Sequence, residues 1–520
     1  MIVAGPGTGK THTLTHRIVR ILGGHVPNSK NEFGTCPHLL AITFTNKAAQ
    51  EMRKRLEAKV PQLWKHVTVG TFHRFALSLL REFSEHTPLP NNFQIALPED
   101  IQGFLEEIFP HKTSAQRKET VEEISLLKST QLVIDANEDY QRYHRFLHSR
   151  GLIDFDDILR ETLLLLENED VAAVIRQRYP YIFVDEYQDI NIVQNALLKC
   201  LVGGLGQPMY GRTDGSPLLT AIGDPNQSIY GFRGSQVKLF HRFQEDFPGT
   251  TVMQLNENYR STVNLLTAST QIISVGAYCN TPLHAEMIDE GRLVIHEAAT
   301  DRAEAEYIAH QIELLVGGVS MFSQDSNRVE TYRQAHRSFG DMAILYRLNA
   351  QKNVVMEALE HLGIPYAVSA KGKIKGVETQ NFASLQQDQK DEIFLQQFEE
   401  TIDYNVEKVS LLTLHAAKGL EFPVVFIVGC EAKLLPLDFN DMKGDPQEER
   451  RLFYVGMTRA KEHLYLTRAG RRQLFGQTFF NPPSMFLADI EEDLKAYENS
   501  KLRRRLSKSK EAEKQQLKLF

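Results

Sequence analysis

The stretch that most constrains this 520-residue chain is its beginning, Met1-Ile-Val-Ala-Gly-Pro-Gly-Thr-Gly-Lys-Thr11. Apolar Ile2-Val3 reads as the end of a strand. Ala4, Gly5, Pro6, Gly7, Thr8, Gly9, Lys10 and Thr11 read as a phosphate-binding loop. The glycines let the backbone turn so that several N–H groups point at one anion; Lys10 can reach the β and γ phosphates, and the Thr11 hydroxyl can ligate Mg²⁺. A helix must follow, with its positive end on the phosphates. Leu14, Ile18, Ile21 and Leu22 share one helical face, and Gly23-Gly24 stops it. Ala4, the smallest substitute, stands where the strict pattern has Gly. A strand, a phosphate loop and a helix in that order imply an α/β sheet that binds a nucleotide.

The rest of the chain repeats the unit. Leu39–Thr43 reads as a buried parallel strand before a helix from Asn46 to about Val60, and Thr68–Thr71 feeds a helix over Phe72–Phe83. From Pro88 to about Pro180 strand signals give way to helical stretches (Ile101–Phe109, Arg117–Lys128, Asn137–His148, Phe155–Glu167), read as an insertion. Strands return at Tyr181–Asp185, Leu218–Gly223 and Val252–Leu255. A second α/β set follows, with strands at Arg292–His296, Met342–Tyr346, Val409–Leu414, Val424–Val428 and His463–Thr467. Its helix Ala303–Val316 is expected to open with an Asp301…Glu304 capping box. In open sheets of this kind ligands collect at the carboxyl ends of the strands.

Composition narrows the function classes. A net charge of -7 supplies no bulk basic field, so a polyanion must be held by local patches. The four cysteines are scattered without a CxxC pair, which argues against a zinc or iron–sulfur site and suits a reducing cytoplasm. Neither a membrane span nor a signal peptide is expected.

The strand ending in Asp185-Glu186 is the natural partner of the phosphate loop: Asp185 to hold Mg²⁺, Glu186 to polarise an attacking water. Two other signals are read structurally. His144 and His148 have i, i+4 spacing but no third ligand nearby in sequence, and are expected to form a helical surface pair. Asp154, Asp156 and Asp157 suit a helix start, where the dipole favours acids.

Nine stretches then carry a resemblance. They are Ala4–Thr11, Thr43-Phe-Thr-Asn-Lys-Ala-Ala49, Gly70-Thr-Phe-His73, Val184-Asp-Glu-Tyr-Gln-Asp189, Gly223-Asp-Pro-Asn-Gln-Ser-Ile-Tyr-Gly-Phe-Arg-Gly234, Asn258-Tyr-Arg-Ser261, Leu345-Tyr-Arg-Leu-Asn349, Thr413-Leu-His-Ala-Ala-Lys-Gly-Leu-Glu-Phe422 and Glu449–Arg459. In this order, from Met1 to about Leu494, they resemble the UvrD/Rep/PcrA-type superfamily 1 DNA helicases. The resemblance implies two RecA-like P-loop NTPase domains, with ATP and Mg²⁺ in the cleft between them and single-stranded DNA crossing their top. Domain 1A would take residues 1–87 and 179–254, helical subdomain 1B 88–178, domain 2A 255–370 and 406–492, and a basic tail 493–520. It further implies that Gln227 senses the γ-phosphate, that Arg260 and Arg459 act as arginine fingers, that Tyr259 stacks on adenine and that Glu421 contacts the ribose. For DNA it points to Phe44, Thr71, Phe72, His73, Tyr230, Phe232, Arg347, Asn349 and His415; aromatics beside polar groups suit single strands, because every base has a face to stack on. Phe232 stands where many relatives carry Trp, and any one of these phenylalanines would equally suit core packing.

The family usually inserts a large helical 2B subdomain between positions matching Tyr366 and Val409. Only about forty residues are available there, too few for an independent core, so 371–405 is read as a remnant and the chain as a motor without the autoinhibition 2B imposes. Relatives also carry, ahead of the loop, a Gln that reads adenine; its absence here implies weakened preference for ATP over GTP. The last residues, Gln516-Leu-Lys-Leu-Phe520, resemble a pentapeptide that docks on the replication sliding clamp, two leucines and a Phe being suited to an apolar groove. Together these imply a cytoplasmic 3′-to-5′ DNA helicase and translocase, monomeric or dimerising on partly duplex DNA, in repair, replication or recombination. A non-catalytic scaffold and the motor subunit of a nuclease complex remain the alternatives.

Overall fold

The computed structural model describes residues 1–24, 36–134, 137–203, 216–275, 282–287, 291–317, 337–368, 370–371, 391, 400–401, 407–439 and 442–498. Two compact units emerge. The first takes Met1–Ala4, Gly9–Leu255 and Gly372–Glu399; the second takes Gly5–Thr8, Asn256–Lys371 and Glu400–Phe520.

The first unit is built on six parallel strands: β1 (Ile2–Ala4), β2 (Leu39–Thr43), β3 (Val67–Thr71), then, after the short β4 (Gln94–Ile95) and β5 (Leu152–Ile153), β6 (Tyr181–Val184), β7 (Leu218–Gly223) and β8 (Met253–Leu255). Their order across the sheet is β3-β2-β6-β7-β1-β8. Registers such as Ile42↔Val184, Val184↔Ala221 and Ile2↔Ile222 bring the carboxyl ends to one edge. The strands are apolar on both faces because helices cover the sheet. Helix α1 (Lys10–Gly23) buries Leu14, Ile18 and Leu22, α2 (Asn46–Lys59) buries Ala49, Met52 and Leu56, and these pack with Ile2, Ala41, Phe183 and Ile222 in one core. Helix α3 (Phe72–Glu82) starts at the end of β3, capped by the Thr71 hydroxyl.

The helical insertion holds α4 (Pro98–Ile108), α5 (Ser114–Thr130), α6 (Glu138–Ser149), α7 (Phe155–Leu165) and α8 (Glu169–Arg178), and α9 (Ile192–Val202) follows β6. Side chains of Thr113, Asn137, Asp154, Asn168 and Asn191 cap five of these six helices, which is why polar residues punctuate the apolar periodicity. The insertion has its own core around Phe109, Ile124, Tyr143 and Leu147. It is not wholly helical: β4 and β5 pair in parallel, two residues each, too short to leave a periodic signal.

Two expectations are corrected here. The acids at the start of α7 do more than answer the helix dipole: Asp154 and Asp157 form the capping box, and both accept from the fully buried Lys128 Nζ at 2.7 Å. His144 and His148 are not a bare surface pair, since α7 brings Asp157 beside them, donor atoms lying within 4.8 Å of one another. Sequence spacing could not show this, because the third group comes from a different helix.

The second unit carries a sheet ordered Tyr366–Val368, Val409–Thr413, Met342–Tyr346, Phe422–Ile427, Ala460–Leu474, Arg292–Thr300 and Lys495–Tyr497, parallel throughout, with Gln477–Phe479 antiparallel on Ala460–Leu474. The strand expected over His463–Thr467 runs to fifteen residues because it continues into a hairpin. The helix Asp301–Val316 is capped by Thr300, not by an Asp301…Glu304 box. Glu304 is instead drawn into the core, where Arg472 lies between it and Glu431, at 2.7 Å from Glu431 Oε1. Three buried charges balance only as a set. Among the described residues no helix is long and apolar enough to cross a membrane.

Candidate nucleotide and nucleic-acid site

In the first unit, α1 starts at Lys10 with Gly9 at its cap in the left-handed region (φ 80°). With no cap side chain in the way, the N–H groups of the first turn are available to an anion. Lys10 Nζ rests 3.4 Å from Ala4 O. At the end of β6, Asp185 Oδ2 accepts from Thr11 Oγ1 at 3.0 Å, and Asp185 Oδ1 accepts from the Glu186 N–H at 2.9 Å. Glu186 is itself left-handed (φ 53°), a costly conformation for a non-glycine residue that turns its carboxylate off the strand axis. Burial, and then the neighbouring Glu186, push the Asp185 carboxyl up to about 7.

The end of β7 supplies the next layer. Asp224 Oδ2 accepts from Gln227 Nε2 at 2.6 Å, and the Asp224 N–H donates to Gln188 Oε1 at 3.0 Å. Gln188 Nε2 donates in turn to Glu186 Oε2. One buried amide therefore ties the two acidic strand ends together. Gln188 and Asp224 lie inside motifs the sequence singles out, but nothing in residue spacing shows that they bridge. Burial raises Asp224 as well, while Lys10 opposes the shift. Mg²⁺ suits this donor set: hard oxygens of Thr11 and Asp185 at hydrogen-bond separation, amid crowded carboxylates.

The nominated DNA residues of this unit divide into two groups. Phe44, just past β2, stacks on Tyr230 with ring centroids 4.9 Å apart, and Phe232 lies 6.1 Å beyond Tyr230 and is 60% exposed. These three make a graded aromatic surface. Thr71 and Phe72 are buried, the first as the cap of α3, the second in the core. His73 stacks on Phe155 at 3.8 Å, and burial holds its imidazole down at about 3.

In the second unit, Gly7 (φ 69°) lies where a Cβ would come within 2.6 Å of Arg260 Cβ and of Asn258 Nδ2, so only glycine fits. Asn258 Nδ2 donates to Pro6 O at 2.6 Å, the Tyr259 N–H donates to Gly7 O at 2.9 Å, and Thr8 Oγ1 donates to Gly5 O. The Tyr259 side chain is 65% exposed. Arg260 Nε meets Glu421 Oε2 at 2.6 Å and Arg260 Nη1 meets Thr458 O at 3.3 Å; Lys461 also pairs with Glu421. Arg459 is buried and donates to the carbonyls of Val455 and Leu420 and to Thr458 Oγ1. Arg347 is clamped by Glu449, and Gln351 Oε1 accepts from the Arg347 and Leu348 N–H groups, shaping the turn that exposes Asn349. His415 is half-buried in the turn after Val409–Thr413. Glu449 opens a motif the sequence singles out, but its clamp on Arg347 could not be read from spacing, and Gln351 had no distinguishing sequence signal of its own.

The two halves match known family domains. Residues 1–248 match the UvrD/REP helicase N-terminal domain, and residues 253–376 and 377–471 match the UvrD-like helicase C-terminal domain. The chain belongs to the UvrD/Rep helicase family. It is 27% identical to the ATP-dependent DNA helicase PcrA of Staphylococcus epidermidis over 654 aligned positions, covering 95% of this chain and 84% of that protein. It is also 27% identical to the enzyme of the same name from Staphylococcus aureus strain MRSA252 over 652 positions, with the same coverage. Those alignments are longer than this chain, so the relatives hold segments it lacks. Family membership makes this chain an ATP hydrolase of the helicase type with two RecA-like domains.

Proposed function

We propose that this chain is an ATP-driven motor that tracks along single-stranded DNA with 3′-to-5′ polarity and opens duplex DNA ahead of it. The observation that carries the reading is one loop: the segment after β7 bears Gln227, in the acidic cluster with Asp224, and three residues later Tyr230, in the aromatic surface with Phe44 and Phe232. A change at the phosphate end of so short a segment reaches the bases directly.

In this reading Lys10 and the first-turn N–H groups of α1 hold the phosphates, while Thr11 and Asp185 hold Mg²⁺, which supplies charge neutralisation at the phosphoryl group. Glu186 orients the attacking water and Gln227 senses the γ-phosphate. Arg260 is the cation offered to developing charge, released from Glu421 as it engages; Arg459 would have to leave three acceptors to do the same. Tyr259 stacks on the base, and Glu421, once parted from Arg260, lies near the sugar. On the DNA side Phe44, Tyr230 and Phe232 stack bases, Asn349, His415 and Arg347 contact the strand from the second unit, and Thr71, Phe72 and His73 shape the β3–α3 turn that faces it.

ATP hydrolysis measured with and without single-stranded DNA tests the reading. Stimulation by DNA, lost in Lys10→Ala and Glu186→Gln, is the expected result; hydrolysis indifferent to DNA would remove the motor. Streptavidin displacement from the two ends of an oligonucleotide reports polarity. Gln516–Phe520 lies outside the described residues, and its proposed docking on a sliding clamp rests on sequence; a pull-down unaffected by its removal would end that part. The pathway served and a cytoplasmic location belong to the same proposal.

A further inference from the structure

Helices α6 and α7 of the insertion each present a pair of potential ligands one turn apart: His144 and His148 on α6, Asp157 and Glu161 on α7. One ligand atom from each of His144, His148 and Asp157 lies within 4.8 Å of the others. Glu161, only 4% exposed, brings Oε1 to 3.4 Å from His148 Nε2. Its other oxygen, Oε2, is buried without a hydrogen-bond partner, and so are His144 Nδ1 and His148 Nε2. Three buried polar atoms lacking hydrogen-bond partners in one place are a rare and costly arrangement, and here they are two imidazole nitrogens and a carboxylate oxygen.

The surrounding charges favour a cation. Four carboxylates converge: Asp154, Asp156, Asp157 and Glu161. Lys128 is paired with Asp154 and Asp157, and Ser125 Oγ donates to Asp156. The Arg160 guanidinium is spent on the carbonyls of Lys128, Gln131 and Leu132. Lys128 takes Asp157 Oδ1, while Asp157 Oδ2 accepts a long 3.3 Å contact from the Asp154 N–H and remains suited to a further ligand role.

We propose that His144, His148, Asp157 and Glu161 form a site for a divalent first-row transition metal of the zinc class, pinning α6 to α7. Two imidazoles with two carboxylates match the tetrahedral nitrogen and oxygen preference of such ions, whereas Mg²⁺ and Ca²⁺ prefer all-oxygen shells. Tetrahedral donors lie about 3.3 Å apart for bonds of about 2.0 Å, so the side chains need only modest rotation to close on an ion. The site is separate from the phosphate loop, and its role is to stiffen the insertion.

The test uses the full chain stripped with a chelator, then titrated with Zn²⁺ and, for its visible absorption, Co²⁺. One tightly bound Zn²⁺ per chain, intense tetrahedral Co²⁺ bands and a Zn²⁺-dependent rise in melting temperature are expected, with no such response to Mg²⁺ or Ca²⁺. The double variant His144→Ala/His148→Ala should lose the bands and the stoichiometric ion, and Glu161→Gln, nearly isosteric and able to fold, should bind at least about tenfold more weakly. Equal binding by wild type and both variants would overturn the proposal, as would failure of the wild type to bind. If the double variant does not fold, Glu161→Gln alone decides.

Discussion

The two units treat charge in opposite ways. At the strand ends of the first, carboxylates are crowded together: Asp185 and Glu186 are adjacent, Asp224 is bridged to them through Gln188, and burial drives Asp185 up to about 7. In the second, arginines are already answered: Arg260 by Glu421, Arg347 by Glu449, Arg459 by two carbonyls and a hydroxyl, Arg472 by Glu304 and Glu431. Crowded acids hold a strained ground state that a cation relieves. Matched arginines hold a settled one, from which a residue must be drawn away to act. The first arrangement favours binding, the second favours geometry.

The comparison can be broken at several points. The largest expected effect is at Glu186→Gln, which should cut DNA-stimulated ATP turnover by roughly 10²–10⁴-fold while leaving nucleotide binding intact, checked by steady-state assay beside a fluorescent-nucleotide titration. Next is Glu449→Ala. It strands the Arg347 guanidinium and the Leu437 N–H, and should cost about 3–5 kcal/mol in chemical denaturation; a cost near zero would show that the second unit's pairs are not structural. Phe232→Ala should weaken single-stranded DNA binding by about 1–3 kcal/mol with little change in stability, because that ring is largely exposed.

Asp185→Asn sharpens the contrast, because its sign is reversed: in chelator it should raise stability, on the order of 1 kcal/mol, while abolishing Mg²⁺-dependent nucleotide binding. A separate effect concerns acid. His73 is held neutral down to about 3, against 6.5 in an unfolded chain, so the unfolded state takes up the proton first and stability falls as pH drops from 6.5 towards 3. His73→Asn should flatten that part of a stability–pH curve.

Much of this was legible before folding. The phosphate loop, Asp185-Glu186 after an apolar strand and the alternation of strands with helices are local patterns, and local patterns survive in a sequence. Less legible were features made by groups far apart in the chain. The helix Asp301–Val316 looked capped by its own acids, but Glu304 is claimed by Arg472, 168 residues away. The stretch 371–405, expected as an insertion remnant, lies outside the described residues except at 371, 391, 400 and 401; of these Asp391 makes a two-pronged pair at 3.0 Å with Arg81, which stands 310 residues earlier in the chain.

What the sequence determined by itself is therefore the family and its layout: which motif residues stand on which ends of which strands. What only the tertiary structure decided is the state of each charge. Whether His144 is a surface group or faces Asp157, and whether Arg347 is exposed or clamped by Glu449, depends on which helix or strand packs alongside. Electrostatic energy depends on distance and burial, and neither is a property of neighbours in the chain.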